Sequence, residues 1–132
     1  MWLLDTNAWI AYLSPRPSPI KTRIASMAST ELYICDVVKS ELYYGAYKSA
    51  RVAENKANIE RLFTVIANLT FDQVCADYVG QIRHVLAQQG TPIGSYDVMI
   101  AAIARRYDRV LVTHNTREFE RVPHLRLEDW QL

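Results

Sequence analysis

Short apolar runs alternate along this chain with longer segments of helical spacing. "WLLD" (2–5) is too short an apolar run for a helix and predicts a first strand. "TNAWIAYL" then has helical spacing, with Ile10 and Leu13 three apart, until the prolines of "SPRPSP" break it. A second helix is predicted over 18–29, with Ile20, Ile24 and Met27 on one face, and "ELYICDV" reads as a strand. Helices follow over 40–50 and 52–67, the latter striped by Ile59, Leu62, Phe63 and Ile66. "LTF" (69–71) reads as a short strand. Asp72 is placed to cap a helix that Gly90 ends. A turn and helix in "TPIGSYDVMIAAIARRY", a strand in "RVLVT", a short helix or turn in "NTREFERV" and a last strand in "LRLEDW" complete the pattern. Strands and helices in alternation predict an α/β fold, with helices on both sides of a mostly parallel sheet. No repeat or linker divides the 132 residues, so one domain over 1–132 is expected.

Composition changes this picture little. A net charge of +1 points to no class of partner. No stretch is long and apolar enough to span a membrane, so no membrane partner is expected. The first residues lack the basic flank and cleavage site of a signal peptide, and a cytoplasmic protein is expected. Cys35 and Cys75 lie in apolar surroundings and are expected as buried free thiols. Arg105, Arg106, Arg109, Arg117, Arg121 and Arg126 crowd the last third. They fit a phosphate-facing patch and ordinary solvated helix faces equally well.

The acids say more. Ligand sites in open parallel sheets form beyond the carboxyl ends of the strands. Asp5 ends the first strand; Thr113, His114 and Asn115 end "RVLV". Glu41 lies in the helix after "LYICDV", and Asp97 in the first turn of a nearly all-apolar helix that must be buried. Each acid alone also fits an ordinary role: a cap at Asp5, a first-turn charge at Asp97, one exposed helix face at Glu41. Three carboxylates at one sheet edge would repel each other unless a divalent cation neutralised them. Oxygen donors without a nearby His or Cys set suit Mg²⁺ or Mn²⁺ rather than zinc.

The blocks "LLDTNAWI", "SELYYGA", "PIGSYDVMIAAIA" and "LVTHNTREFERVPHLRLEDW" together resemble the PIN-domain family, and within it the VapC-type toxins of bacterial toxin–antitoxin pairs. The resemblance runs from residue 2 to 130. It implies an α/β/α sandwich and a Mg²⁺-dependent endoribonuclease, with Mn²⁺ as a substitute. It implies an RNA substrate, tRNA being favoured, a VapB-type antitoxin as partner, and a homodimer. The family's first three acids match Asp5, Glu41 and Asp97, and its small polar residue matches Thr6. Asp5 and Asp97 are then the expected metal ligands. Glu41 would bind the cation through water or orient the attacking water, and Thr6 and Asn115 would hold metal-bound waters or a phosphate oxygen. The sequence departs from the family at its fourth acidic position, where Asn115 stands; Glu118 is the acid expected to reach the site instead.

Arg105, Arg106, Arg117 and Arg121 are the expected grips on the RNA backbone. Trp9, Tyr12, Tyr43, Tyr44 and Tyr47 are expected in the core or at a protein interface rather than stacked on bases. His114 is expected to be incidental. A phospho-acceptor domain is disfavoured because Lys56 is the last lysine, and a nucleotide-binding loop because no glycine precedes Gly45. The remaining alternative is a catalytically weakened PIN-like module that only binds RNA or protein.

Overall fold

The computed structural model describes residues 1–131. Five parallel strands form its centre in the order β3-β2-β1-β4-β5. β1 (Trp2–Leu4) lies in the middle, between β2 (Leu32–Cys35) and β4 (Val110–Val112). β3 (Ala67–Leu69) and β5 (Leu127–Glu128) are the edges. The parallel direction requires crossover connections, and the helices supply them. These are α1 (Thr6–Leu13), α2 (Pro19–Ala25), α3 (Asp36–Tyr47), α4 (Val52–Val65), α5 (Gln73–Gln88), α6 (Ser95–Arg106) and the single turn α7 (Thr116–Phe119).

β1 and β4 are buried, as the strands of a sheet covered on both faces must be: Leu3, Leu4, Leu111 and Val112 are fully enclosed. α6 packs deepest, with Val98 and every residue from Ile100 to Ala104 buried, and α5 lies along it. No described helix is long and apolar enough to cross a membrane.

Several boundaries differ from the sequence expectation. α3 starts at Asp36 rather than Ser40, because β2 passes into it with no loop. The strand expected at 69–71 lies instead at 67–69, where Ala67, Asn68 and Leu69 pair with Tyr33, Ile34 and Cys35. Ala67 and Asn68 are poor strand formers, so local propensity concealed them. Phe71 gives its backbone N–H to the Asp36 carboxylate rather than to a strand partner. α2 stops at Ala25, four residues short of the expected end, and only Ile20 and Ile24 of its stripe are buried. There the Ser26 hydroxyl donates to the Arg23 carbonyl and closes the last turn. In α1 the inward residues are Ala8 and Trp9, while Ile10 is half exposed. Asp72 does cap α5, accepting the Cys75 N–H at 3.0 Å, and Gly90 ends the segment with φ +68°. Cys35 and Cys75 are free and buried.

Candidate active site

Asp5 is held by backbone on both sides. Its own N–H donates to the Val112 carbonyl at 3.1 Å, which carries the β1–β4 ladder one residue past β1. Its Oδ1 accepts the Ala8 N–H at 3.0 Å and caps α1. Only 7 % of the residue is exposed. Burial pushes its pKa up, against hydrogen bonds from the Thr113 side chain and Ala8; the charges of Glu41 and Asp129 push further in the upward direction. So the capping role and the site role, alternatives from sequence alone, belong to one side chain.

Thr6 follows directly and donates its hydroxyl to Glu41 Oε1 at 2.7 Å, which ties the start of α1 to α3. Asn7 is exposed. Asp97 is half-buried in the first turn of α6. Its pKa is pushed up to about 6, first by burial, then by a hydrogen bond with Glu118, then by the charges of Glu118, Glu41 and Asp5. Two carboxyl groups share a hydrogen bond only when one carries a proton, and Asp97 is the one whose proton affinity its surroundings raise.

Asn115 does not replace the missing acid. Its Nδ2 donates to Glu118 Oε2 at 3.1 Å, and its backbone N–H donates to Thr113 Oγ1 at 3.0 Å. It therefore steers Glu118, and Glu118 brings the negative charge to Asp97. The six residues singled out from the sequence thus gather at one sheet edge: Thr6 bonds Glu41, Asn115 bonds Glu118, Glu118 acts on Asp97, and the charge of Glu41 acts on Asp5.

One further acid at this edge, Asp129, escaped the sequence reading. Asp129 follows β5 as Asp5 follows β1, so a parallel sheet puts both at the same edge. Its side chain is only 11 % exposed, and its Oδ2 lies 2.9 Å from His114 Nδ1. His114 is therefore not incidental: it is paired with Asp129. The only signal for Asp129 was its place after a strand, which means nothing until the sheet order is known. Thr113, expected at the end of β4 and 1 % exposed, accepts the Asn115 N–H and favours the charged form of Asp5.

The four arginines expected to grip RNA do not lie together. Arg105 and Arg106 lie at the far end of α6, nine residues and about 13 Å of helical rise from Asp97 for the farther one. Arg106 is bound to Asp72 at 3.0 Å. Arg117 lies within α7 beside Glu118, and Arg121 follows α7 and donates to the Pro92 carbonyl at 3.3 Å. The aromatic expectation splits. Trp9 is fully buried and Tyr12 and Tyr43 are partly so, but Tyr44 and Tyr47 are 68 % and 60 % exposed.

The donor set suits a hard divalent cation. Burial pushes the Cys35 thiol up to about 12, so it supplies no thiolate. His114 Nδ1 is taken by Asp129. What remains is carboxylate oxygen, with like charges that resist ionising together. Among the described residues no three His, Cys, Asp or Glu side chains form a ready-made metal cage. Two carboxylates completed by waters is the mode Mg²⁺ favours, since it dehydrates reluctantly.

Comparisons with known proteins agree with this geometry. The PIN domain model matches residues 2–125. The "tRNA(fMet)-specific endonuclease VapC" of Shigella flexneri is 43 % identical over 129 residues, covering 98 % of this chain and 97 % of that protein. The crystal structure of DNA-bound VapBC from Salmonella typhimurium superposes with a TM-score of 0.90 at 41 % identity, covering 98 % of this chain and 97 % of that one. VapBC2 from Rickettsia felis, bound to a promoter DNA fragment, gives 0.89 at 31 % identity, covering 98 % of each chain. A five-stranded parallel sheet with acids gathered at its carboxyl edge, matched nearly end to end by these VapC relatives, means that the chain belongs to the PIN domain family.

Proposed function

We propose that this chain, as a single PIN domain over 1–132, is a Mg²⁺-dependent endoribonuclease. It acts as the toxin of a VapBC-type pair in the cytoplasm, is held in check by a VapB-type antitoxin, and pairs with a second copy of itself. tRNA is the favoured substrate, on the strength of the tRNA-specific relatives. The observation that carries the reading is the carboxylate cluster around Asp5 and Asp97, whose ionisation burial and neighbours oppose.

In this reading Asp5 and Asp97 hold the cation, with Mn²⁺ able to substitute. The chemistry a bound cation supplies is charge neutralisation at the scissile phosphate and a lowered pKa for water. Glu41 has one oxygen occupied by Thr6, which leaves the other to orient the attacking water and take its proton. The Thr6 hydroxyl, still able to accept a bond, positions a water or a phosphate oxygen. Glu118, held by Asn115, tunes the proton affinity of Asp97. Water attacks phosphorus, the P–O bond to the leaving ribose oxygen breaks, and the departing oxygen gains a proton from solvent.

The weakened-module alternative rested on the amide at position 115, and Glu118, bonded to Asn115 and raising the proton affinity of Asp97, supports the nuclease reading against it. The test is to map new RNA 5′ and 3′ ends after inducing the wild-type protein beside Asp97→Asn. Discrete ends that vanish in the variant, and are suppressed by the antitoxin, support the reading. Identical end profiles from both proteins at matched soluble expression refute it.

A further inference from the structure

A second constellation lies at the opposite edge of the sheet and takes no part in the proposed cleavage. A cavity of about 210 Å³ opens between the end of α6 and the residues that lead into β4 and β5. It is several times the ~30 Å³ share of one liquid water. Its wall includes Arg105, Arg109 and Arg126 with His124, and one carboxylate, Asp108. Asp108 is already spent, since its Oδ1 accepts from Arg126 at 2.7 Å. Two guanidinium charges therefore stand without an ionic partner among the described residues.

Both are fixed in place. Arg105 stacks on Tyr78 at 4.8 Å and Arg109 on Tyr33 at 4.7 Å. Stacking engages the guanidinium faces and leaves the N–H groups at the edges for an oxyanion, which they match by a planar fork. Arg109 Nη1 donates to the Tyr107 carbonyl, but its Nε is buried without an acceptor. That Nε is shielded from the cavity, so the terminal nitrogens of Arg109 are the ones that can reach a ligand.

The backbone sets the frame of the cavity. Asp108 (φ +53°) and His124 (φ +63°) are the two non-glycine residues in the left-handed region among those described, and both line this cavity. At Asp108 this conformation closes α6, since the Arg109 N–H donates to the Ala104 carbonyl at 2.8 Å and the Asp108 N–H to the Arg105 carbonyl at 3.3 Å. Stabilisation of the α6 carboxyl end accounts for Arg126, which donates to the Asp108 carbonyl, and for one nitrogen of Arg109. It leaves the Arg105 guanidinium, which makes no hydrogen bond or ion pair among the described residues, unexplained.

We propose that this cavity is a phosphate-binding site, built from Arg105, Arg109 and His124 on a frame set by Asp108 and Arg126. The phosphate belongs to the backbone of an RNA that reaches past the acidic edge, or to a free phosphate compound.

The test titrates the full-length protein with inorganic phosphate, followed by two-dimensional amide NMR against chloride at matched ionic strength. Saturable shifts should concentrate at Arg105–Arg109 and His124–Arg126 and should weaken severalfold in Arg105→Gln, whose parent side chain makes no hydrogen bond to the protein. Arg109→Gln serves as a second variant if its melting temperature is unchanged. A parallel arm measures RNA binding by the Asp97→Asn protein. If Arg105→Gln weakens that binding and lowers the salt-dependence slope by about one, the phosphate is RNA backbone. If only the inorganic phosphate shifts respond, the ligand is a free phosphate compound. No localised phosphate shift together with unchanged RNA binding overturns the site. The phosphate arm does not depend on nuclease activity, so its outcome stands apart from that of the proposed function.

Discussion

Asp72 and Asp97 both stand at the start of a helix, where free N–H groups favour a negative charge. Their acidities nevertheless move in opposite directions. The Arg106 guanidinium and the Cys75 N–H hold Asp72 down at about 2. Burial and the neighbouring acids Glu118, Glu41 and Asp5 push Asp97 up to about 6. The helix terminus is common to both, so the neighbours decide the sign. At Asp72 the charge is already balanced within the chain. At Asp97 it is not, and the imbalance is relieved either by a proton or by a cation from outside.

The largest effect that separates the two positions is on cleavage. Asp97→Asn and Asp5→Asn are each expected to lower RNA cleavage roughly a thousandfold, the scale of losing a principal catalytic group. Both should keep or raise the melting temperature, since each removes a carboxylate whose ionisation the fold resists. Asp72→Asn should leave cleavage at the wild-type rate. Equal losses from Asp72→Asn and Asp97→Asn would mean that the contrast in acidity has nothing to do with function.

Glu118→Gln comes next. It keeps a group for Asn115 to bond but removes the charge that competes with Asp97. A loss of about tenfold in cleavage is expected, as for residues that act on a metal ligand from behind. Unlike Asp97→Asn, it should shift the acid limb of the rate profile to lower pH, because Asp97 becomes easier to ionise. An unmoved limb would show that Glu118 does not set the acidity of Asp97.

How far this site was legible beforehand follows from the same pairings. Asp5, Glu41 and Asp97 were readable because each sits beside an apolar run that fixes its strand or helix, and the parallel pattern implies their common edge. Their motif added the role of Thr6. The competition between Glu118 and Asp97, and the Asp129 partner of His114, depend on side chains meeting across elements, which no local pattern encodes. The arginines misled for the same reason. Arg105 and Arg106 lie eight and nine residues from Asp97 on one helix, close in sequence and at its far end in space. In the fold, α3 and β3 were displaced where an apolar run crossed an element boundary, at "CDVV", or where weak strand formers carried the pairing, at Ala67 and Asn68.

Stability against pH distinguishes the two aspartates more gently. Asp97 has a folded pKa above its usual 3.8, so the metal-free folded state binds the extra proton. Its contribution therefore favours the fold at low pH and is lost as pH rises from about 4 through about 6. Mg²⁺ should offset this loss. A cation at one hundred times its dissociation constant adds about 2.7 kcal/mol, and the gain should vanish in Asp97→Asn. Melting curves with and without Mg²⁺ from pH 4 to about 8 read both effects. A wild-type melting temperature indifferent to Mg²⁺ at neutral pH would count against a cation held by these acids.

The smallest expected effect is at the other aspartate. Asp72 has a folded pKa below its usual 3.8, so its contribution is present above about 4 and is lost as pH falls toward about 2. Arg106→Gln removes the larger cause of that depression but leaves the Cys75 N–H on Asp72 Oδ1. The cap should survive, and with it the start of α5. The pair is about one-third exposed on each side, so solvent screening keeps its share of stability small. The expected outcome is a slight drop in melting temperature at neutral pH and an acid unfolding limb moved to higher pH, with cleavage unchanged. If Arg106→Gln instead lowers cleavage while the melting temperature holds, this end of α6 serves the reaction. The charge balance at Asp72 would then be part of the same device as the imbalance at Asp97.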